Sequence, residues 1–358
     1  MSSIFYDARN VYSWLEDEIS RNVFNMRLAY SATGDIRYVV NMDSANRNLS
    51  SDIEKFAKQM ESPRRKIIYG AGVNGKAILE LLAPNNTVLF IDNYREESID
   101  DETGLPIYSF KEFTELFPNE LNNYQYIISV INRRVSSSIK NDLIAHGVSG
   151  NNIVVAPKEW RNNESQYFDF FEPRENEVFV DCGCYDGSTC YRFAGWCGDK
   201  GYEYIYGFEP DSKSFYRCEE MLASLAKCKV FNLGTSLKDE TVYFKITGKE
   251  DACALTKEET EGLECNCIEK VNVVSLDSFL KGRRVTFIKM DIEGMEWETL
   301  LGAERILREQ KPRLAISVYH KIDDFVRIPV WLKKVNPDYK FYFRHYSLVS
   351  NETILYVE

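Results

Sequence analysis

Val285-Thr-Phe-Ile-Lys-Met-Asp-Ile-Glu-Gly-Met-Glu296 is the stretch on which the fold of this chain turns. A short apolar run, Val285 to Met290, delivers Asp291, Glu293 and Glu296 straight into a helix expected to begin near Met295. In an open α/β sheet ligands gather at the carboxyl ends of the parallel strands, which is where this spacing puts Asp291. Upstream, Val178-Phe-Val-Asp-Cys-Gly-Cys-Tyr-Asp-Gly187 repeats the design: apolar run, acid at the tip, then glycines. Two such strands in one domain point to a built site.

The rest of the C-terminal half extends this alternation. Strands are expected at 178–180, 204–208, 229–232, 285–290 and 314–319. Helices are expected after Ser188 and over 212–226, 296–307 and 324–335. The end of the chain departs from the pattern. Lys340-Phe-Tyr-Phe-Arg-His-Tyr and Thr353-Ile-Leu-Tyr-Val run strand, turn, strand, which predicts an antiparallel hairpin at one sheet edge.

With 358 residues the chain has room for two cores. Residues 64–156 alternate strand and helix and predict a second, smaller parallel α/β domain. Its strands are expected at Lys66-Ile-Ile-Tyr, Thr87-Val-Leu-Phe-Ile-Asp92, Tyr126-Ile-Ile-Ser-Val-Ile131 and Asn152-Ile-Val-Val155. Residues 1–63 read as an amphipathic helical segment with Val11, Trp14, Leu15 and Ile19 on one stripe, a break at Ser31–Gly34 and a short helix over 51–60. Residues 157–174, between two prolines, read as a connector leading to a domain over 175–358.

A net charge of −11 without a concentrated basic run argues against a nucleic-acid partner. No apolar run is long enough to span a bilayer, and the first residues lack a signal pattern, so the expected location is the cytoplasm. All nine cysteines fall between Cys182 and Cys267. Their odd number and irregular spacing predict free thiols, and the one-residue gaps in Cys182/Cys184 and Cys265/Cys267 do not suit a zinc knuckle.

The turn Asp181-Cys-Gly-Cys-Tyr-Asp-Gly187 lets a ligand approach the backbone, and the helix that follows offers its N-terminus. An acid ahead of the glycines repels a pyrophosphate and suits a cation. The next strand ends Phe208-Glu-Pro-Asp211, placing Glu209 where a carboxylate can accept from two ribose hydroxyls. A sulfonium, an amino-acid tail and an adenosine, the parts of S-adenosylmethionine, match this pair of features.

With these residues in hand, positions 176–358 resemble the FkbM family of class I S-adenosylmethionine-dependent methyltransferases. The resemblance rests on Val178–Gly183, Gly207-Phe-Glu209-Pro210, Val274-Ser-Leu-Asp277-Ser-Phe279, Phe287–Glu296 and Gly302-Ala303. It implies a Rossmann-like seven-stranded sheet of order 3-2-1-4-5-7-6, with strand 7 antiparallel. It also implies methyl transfer to a hydroxyl oxygen, usually on a sugar or a polyketide-like product. Asp181, Gly183, Tyr185, Asp186, Gly187 and Ser188 are then the loop around the methionine tail, with Glu209, Pro210, Asn232 and Asp291 completing the cofactor set. Family members commonly carry a smaller, more apolar loop than Cys184-Tyr-Asp186, which leaves the contacts to that tail open.

Asp291, Glu293 and His320 are the catalytic candidates. His320 ends the predicted strand Leu314-Ala-Ile-Ser-Val-Tyr-His and faces the same rim, where a neutral imidazole could accept the acceptor's proton. The favoured expectation is a site without metal. The competing one makes Asp291 and Glu293 ligands of a hard cation, while Glu293 and Glu296 can equally serve to cap the next helix. His146 and His345 are read as structural.

In the smaller domain, Gly70-Ala-Gly-Val-Asn-Gly75 joins a strand to a helix and Asp92 follows at the next strand's end. Gly70, Gly72, Gly75 and Asp92 thus meet the dinucleotide fingerprint, in a unit too short for a full dinucleotide fold. A nucleotide or nucleotide-sugar ligand is the expectation there, beside the plain alternative of a scaffold. The overall expectation is O-methylation of a saccharide or nucleotide-linked sugar. The rivals are an NAD(P)-dependent sugar-nucleotide oxidoreductase or epimerase, disfavoured by the lack of a Tyr-x-x-x-Lys dyad, and a non-catalytic cofactor-binding module. Homo-oligomerisation is left open.

Overall fold

The computed structural model describes residues 4–46, 51–60, 62–82, 87–160, 166–246, 252–255 and 268–358. They divide into two compact units, one formed by 25–164 with 345–351, the other by 1–24, 165–344 and 352–358.

The first unit is built on a five-stranded parallel sheet: β1 (Lys66–Tyr69), β2 (Thr87–Ile91), β3 (Ile107–Tyr108), β4 (Gln125–Ile128) and β5 (Ile153–Val155), in the order β3-β2-β1-β4-β5. Successive side chains point to opposite faces of a strand, so each strand feeds two cores. Ile68, Phe90, Ile127 and Val154 join Phe56, Trp160 and Leu348 on one face, while Ile67, Leu89, Ile91, Tyr126 and Ile128 join Phe113 and Leu143 on the other. Burial on both faces explains why these strands read as unbroken apolar runs. The helix Phe110–Leu116 opens on a capping box, Ser109 and Glu112 each satisfying the other's backbone N–H.

The second unit carries β6 (Glu177–Cys182), β7 (Tyr202–Phe208), β8 (Cys228–Phe231), β9 (Gly234–Thr235), β10 (Glu240–Ile246), β11 (Ala252–Leu255), β12 (Ile268–Val274), β13 (Phe287–Met290), β14 (Arg313–Ser317), β15 (Phe341–His345) and β16 (Thr353–Val357). Seven of these form one sheet in the order β8-β7-β6-β13-β14-β16-β15. Counted along the chain, that is 3-2-1-4-5-7-6, and β16 lies antiparallel to β14 as expected. The fold is therefore α/β of the class I methyltransferase kind. The helices Ser188–Cys197 and Ser212–Leu222 follow β6 and β7. An aromatic block of Phe168, Phe179, Phe193, Trp196 and Phe287 fills one side of the sheet, with Phe179 stacked on Phe193 at 4.2 Å.

Two features of this unit depart from expectation. Residues 234–274, beyond the predicted strand at 229–232, contribute a mixed sheet of order β11-β10-β12-β9, whose β10 pairs antiparallel with both β11 and β12. The N-terminal stripe is also broken. One helix ends at Trp14, buried Leu15 bridges to Phe341, and Asp17 accepts the Ser20 N–H at 2.7 Å to start a second helix at Glu18. Ile19 is consequently exposed. A side-chain cap and a strand contact override the helical period. Among the described residues no helix is long and apolar enough to cross a membrane.

Candidate active site

The register of two neighbouring strands sets up the site. Lys289 of β13 lies directly beside Asp181 of β6, so both side chains emerge on one face, and Lys289 Nζ stands 3.0 Å from the Asp181 carboxylate. Both groups are buried. The same ammonium donates to the Gly183 carbonyl at 2.7 Å, tying the glycine turn to β13. Burial works against its charge, but Asp181 and Asp291 outweigh burial and hold the Lys289 pKa above the ordinary lysine value. Asp181 is thus committed to an internal ion pair, which leaves its negative charge largely neutralised.

The turn itself needs glycine. Gly183 has φ +80°, and a Cβ there would sit 2.0 Å from the Asp291 carbonyl oxygen. Gly183 and Cys184 both donate to the Phe208 carbonyl, at 3.0 and 3.1 Å. Asp186 accepts the Ser188 N–H at 2.9 Å and so opens the next helix rather than reaching outward with that oxygen. Tyr185 is a half-exposed ring at φ +49°, and its N–H donates to Glu209 at 2.8 Å. Gly187 opens the helix that follows from a left-handed conformation, φ +84°.

Glu209 is the buried acid of this half. One carboxylate oxygen takes the Tyr185 N–H and the other the Asp211 N–H at 2.9 Å. Burial pushes its pKa up to about 7 against the pull of those two donors. Asn232 donates to the carbonyls of Glu209 and Pro210, both at 3.0 Å, and so braces the loop. The carboxylate is held by backbone at fixed orientation, and each of its oxygens keeps a lone pair for another donor.

The second half gathers at the tips of β13 and β14. Asp291 accepts from two phenols, Tyr167 at 2.9 Å and Tyr319 at 3.1 Å. Burial would raise its pKa, but Lys289, His320 and the Tyr167 hydroxyl lower it below the usual carboxylate range. His320 lies among acids: Nδ1 is 2.9 Å from Glu296, Nε2 is 3.3 Å from Glu293 and 3.7 Å from Asp291. Burial disfavours the imidazolium, yet Glu293 and Glu296 prevail and raise the ring's pKa to about 11. In this setting His320 already holds its proton, which differs from the neutral base read from the sequence. Glu293 adopts φ +53°, uncommon for a residue with a side chain, and the turn it forms with Gly294 brings it to the rim. Glu296 is fully buried and accepts the Ile292 N–H at 3.0 Å.

The two halves meet where Gly183 packs against the Asp291 backbone, whose N–H donates to the Cys182 carbonyl at 3.2 Å. Asp291, Glu293, His320 and Glu209 follow the ends of their strands, whereas Asp181 is buried inside β6. Lys289, Tyr167 and Tyr319 were not singled out as site residues. Lys289 could have been found, since a lysine inside an apolar strand demands a buried partner. Tyr167 belongs to the stretch read as connector, and nothing local marks it. The six cysteines whose side chains are described are free thiols, with Cys184 and Cys218 3.5 Å apart at sulfur. Cys265 and Cys267 lie outside the described residues.

In the smaller unit the glycine turn is closed on itself. Asp92 accepts from the Ala71 N–H at 2.9 Å and the Tyr94 N–H at 3.0 Å, so the acid expected to meet a ribose braces the turn. Gly70 has φ +107°, a Cβ on Gly75 would fall 1.9 Å from the Gly70 oxygen, and Gly72 faces open space.

Residues 181–341 match the model of the methyltransferase FkbM domain. A structure of methyltransferase FkbM from Methylobacillus flagellatus KT superposes on 95% of this chain and 99% of its own, with a TM-score of 0.53 and 17% identity. Further structural matches include an rRNA methylase from Streptococcus thermophilus (15% identity, 52% of this chain and 87% of that one, TM-score 0.31). Another is Aeropyrum pernix fibrillarin bound to S-adenosyl-L-methionine (9% identity, 52% and 69%, TM-score 0.33). A search of curated protein sequences finds no match.

Proposed function

We propose that this chain transfers a methyl group from S-adenosylmethionine to a hydroxyl of a saccharide or nucleotide-linked sugar. The observation that carries the reading is the seam at Gly183 and Asp291, which sets a cofactor-type loop edge to edge with a cluster of acids and histidine. On this reading Glu209 accepts from the ribose hydroxyls, and the Gly183–Ser188 turn follows the methionine tail. Asp291 and His320 then face the acceptor, close to where the sulfonium's methyl would lie.

Methyl transfer to oxygen is an in-line displacement: the O–C bond forms as the C–S bond breaks, the sulfur leaves as a thioether, and the hydroxyl proton departs. Most of the catalysis is alignment of three atoms, helped by a group that stabilises the developing alkoxide. Two phenols fix the Asp291 carboxylate, and two acids fix the His320 ring, so neither has to reorganise during the reaction. The glycine turn of the smaller unit is proposed to bind a nucleotide or nucleotide sugar through backbone N–H groups, since Asp92 is engaged within the turn.

The test is incubation of purified protein with labelled S-adenosylmethionine and a panel of nucleotide sugars and free saccharides, with the product located by mass spectrometry. A methyl ether on a sugar oxygen supports the reading. Methyl transfer to nitrogen or carbon only, or cofactor binding without any transfer, counts against it.

A further inference from the structure

The acid cluster around His320 has more carboxylate than the ring and its neighbours use. Single donor atoms of Asp291, Glu296 and His320 all lie within 4.8 Å of one another. Two donors each about 2.1 Å from a common ion stand roughly 3.0–3.5 Å apart, or about 4.2 Å when opposite each other. The His320 Nδ1–Glu296 separation of 2.9 Å is of that size, and bringing Asp291 into the same sphere needs a contraction of several tenths of an ångström, whereas Glu293 lies 3.3 Å from the other ring nitrogen, Nε2.

A second observation points the same way. Glu296 is fully buried, and its Oε2 has no hydrogen-bond partner. The His320 side chain is only 10% exposed, and neither ring nitrogen makes a hydrogen bond of good direction despite the short distances. Buried polar atoms are rarely left so without a reason, and an absent ion is one of the standard reasons. Metal-bound imidazoles characteristically turn their other nitrogen to a carboxylate. Here Glu296 stands at Nδ1 and Glu293 at Nε2, so with Nδ1 turned to the ion the other nitrogen meets a carboxylate. Tyr167 and Tyr319 meanwhile orient Asp291 from behind.

We propose that Asp291, Glu296 and His320 bind a divalent cation, with Glu293 at the exposed mouth holding the imidazole by its other nitrogen. Imidazole with carboxylates favours a first-row transition ion over calcium or magnesium. Such an ion would take the acceptor hydroxyl in an open position and lower its pKa. This role rests on the proposed methyl transfer, whereas the binding itself does not.

Manganese(II) is the probe, because the free thiols of this chain compete for softer ions. With full-length protein stripped by chelator, the loss of the free-ion paramagnetic resonance signal measures binding. One site per chain is expected in wild type. His320→Gln should weaken it at least 100-fold, and Glu293→Gln, at a half-exposed position, about tenfold. Glu298→Gln, which leaves all three ligands in place, should bind like wild type. Thermal melts confirm that each variant is folded, and Glu293→Gln keeps the test open should the histidine variant fail to fold. No binding at millimolar manganese, or binding unchanged in both His320→Gln and Glu293→Gln, overturns the proposal and leaves an ion-paired imidazolium. Failure here leaves the methyl-transfer reading standing, and failure to methylate any hydroxyl leaves the metal site untouched.

Discussion

Glu209 offers the sharpest test of the cofactor half. It is buried at 7% exposure and held by the Tyr185 and Asp211 N–H groups, with a pKa near 7 instead of the ordinary 4.5. The sign follows from the physics. Burial penalises the charged form, so the free protein carries a half-protonated acid at neutral pH, while ribose hydroxyls donate best to the carboxylate. Binding S-adenosylmethionine should therefore lower the pKa and release a proton whenever the pH lies near or below 7. A charge-assisted hydrogen bond contributes about 1.5–3 kcal/mol, so Glu209→Ala should weaken binding by roughly 10- to 150-fold at pH 8. For wild type, affinity should be flat above pH 8 and fall by up to tenfold per unit below 7. In Glu209→Gln that pH dependence should vanish. Calorimetry across pH 5.5–8.5, in buffers of different ionisation enthalpy, reads both the affinity and the proton count. A wild-type affinity that does not change over this range, or a Glu209→Ala affinity within twofold of wild type, would refute the role given to this carboxylate. The same shift bears on stability: a folded-state pKa above the unfolded one means the contribution of Glu209 is fully present below about pH 4.5 and is lost as pH rises toward 7.

Three further outcomes follow from the geometry. Gly183→Ala forces a Cβ to 2.0 Å from the Asp291 oxygen at φ +80°, so it should abolish cofactor binding and lower the melting temperature by several degrees; normal binding would show that the seam is loose. Lys289→Met strands the buried Asp181 charge and should cost about 3–5 kcal/mol in denaturant unfolding, much of it recovered when Asp181→Asn is added; additive losses would mean the pair is not coupled. Gly72→Val points into open space, so it should leave the fold and cofactor affinity intact while weakening the binding of a nucleotide sugar in calorimetry; an unchanged affinity would make the smaller unit a scaffold.

How much of this was legible in the chain depends on where each signal resides. The seven-stranded order could be read because β6, β13 and β14 are buried on both faces and appear as apolar runs, and because the missing helix between 346 and 352 betrayed the antiparallel end. The capping box at Ser109–Glu112 was visible in the letters but not used, and with it the helix Phe110–Leu116 could have been drawn. The mixed sheet over 234–274 gave no such warning. Its β10 and β12 are not continuous apolar runs, and among the described side chains Val242, Val271 and Val273 pack together there. Leu15 and Asp17 were misread for a different reason: their periodicity was helical, but a cap and a strand contact decided the backbone.

The site residues divide along the same line. Asp291 and Glu209 could be singled out because of position alone: each is the first acid beyond a strand, where any parallel sheet presents its ligands. The states of these groups were not legible, since a pKa is set by neighbours distant in sequence. Asp181 looked like a free acid for a cationic cofactor until Lys289 neutralised it. His320 looked like a base until Glu293 and Glu296 closed around it. The cationic sulfonium must then draw its electrostatic support from elsewhere on the rim. Asp291 has its carboxyl held below the usual carboxylate range, and its backbone packs against Gly183 in the proposed cofactor turn. Asp291 thus stands between the two halves, and its removal should damage methyl-donor affinity and turnover together. The loss of His320 should depress turnover by about 10²–10⁴-fold and leave donor affinity nearly intact. Separate effects of Asp291→Asn and His320→Ala on KM and kcat, measured on one acceptor, test that division; a His320→Ala enzyme that loses donor affinity as heavily as Asp291→Asn would contradict it.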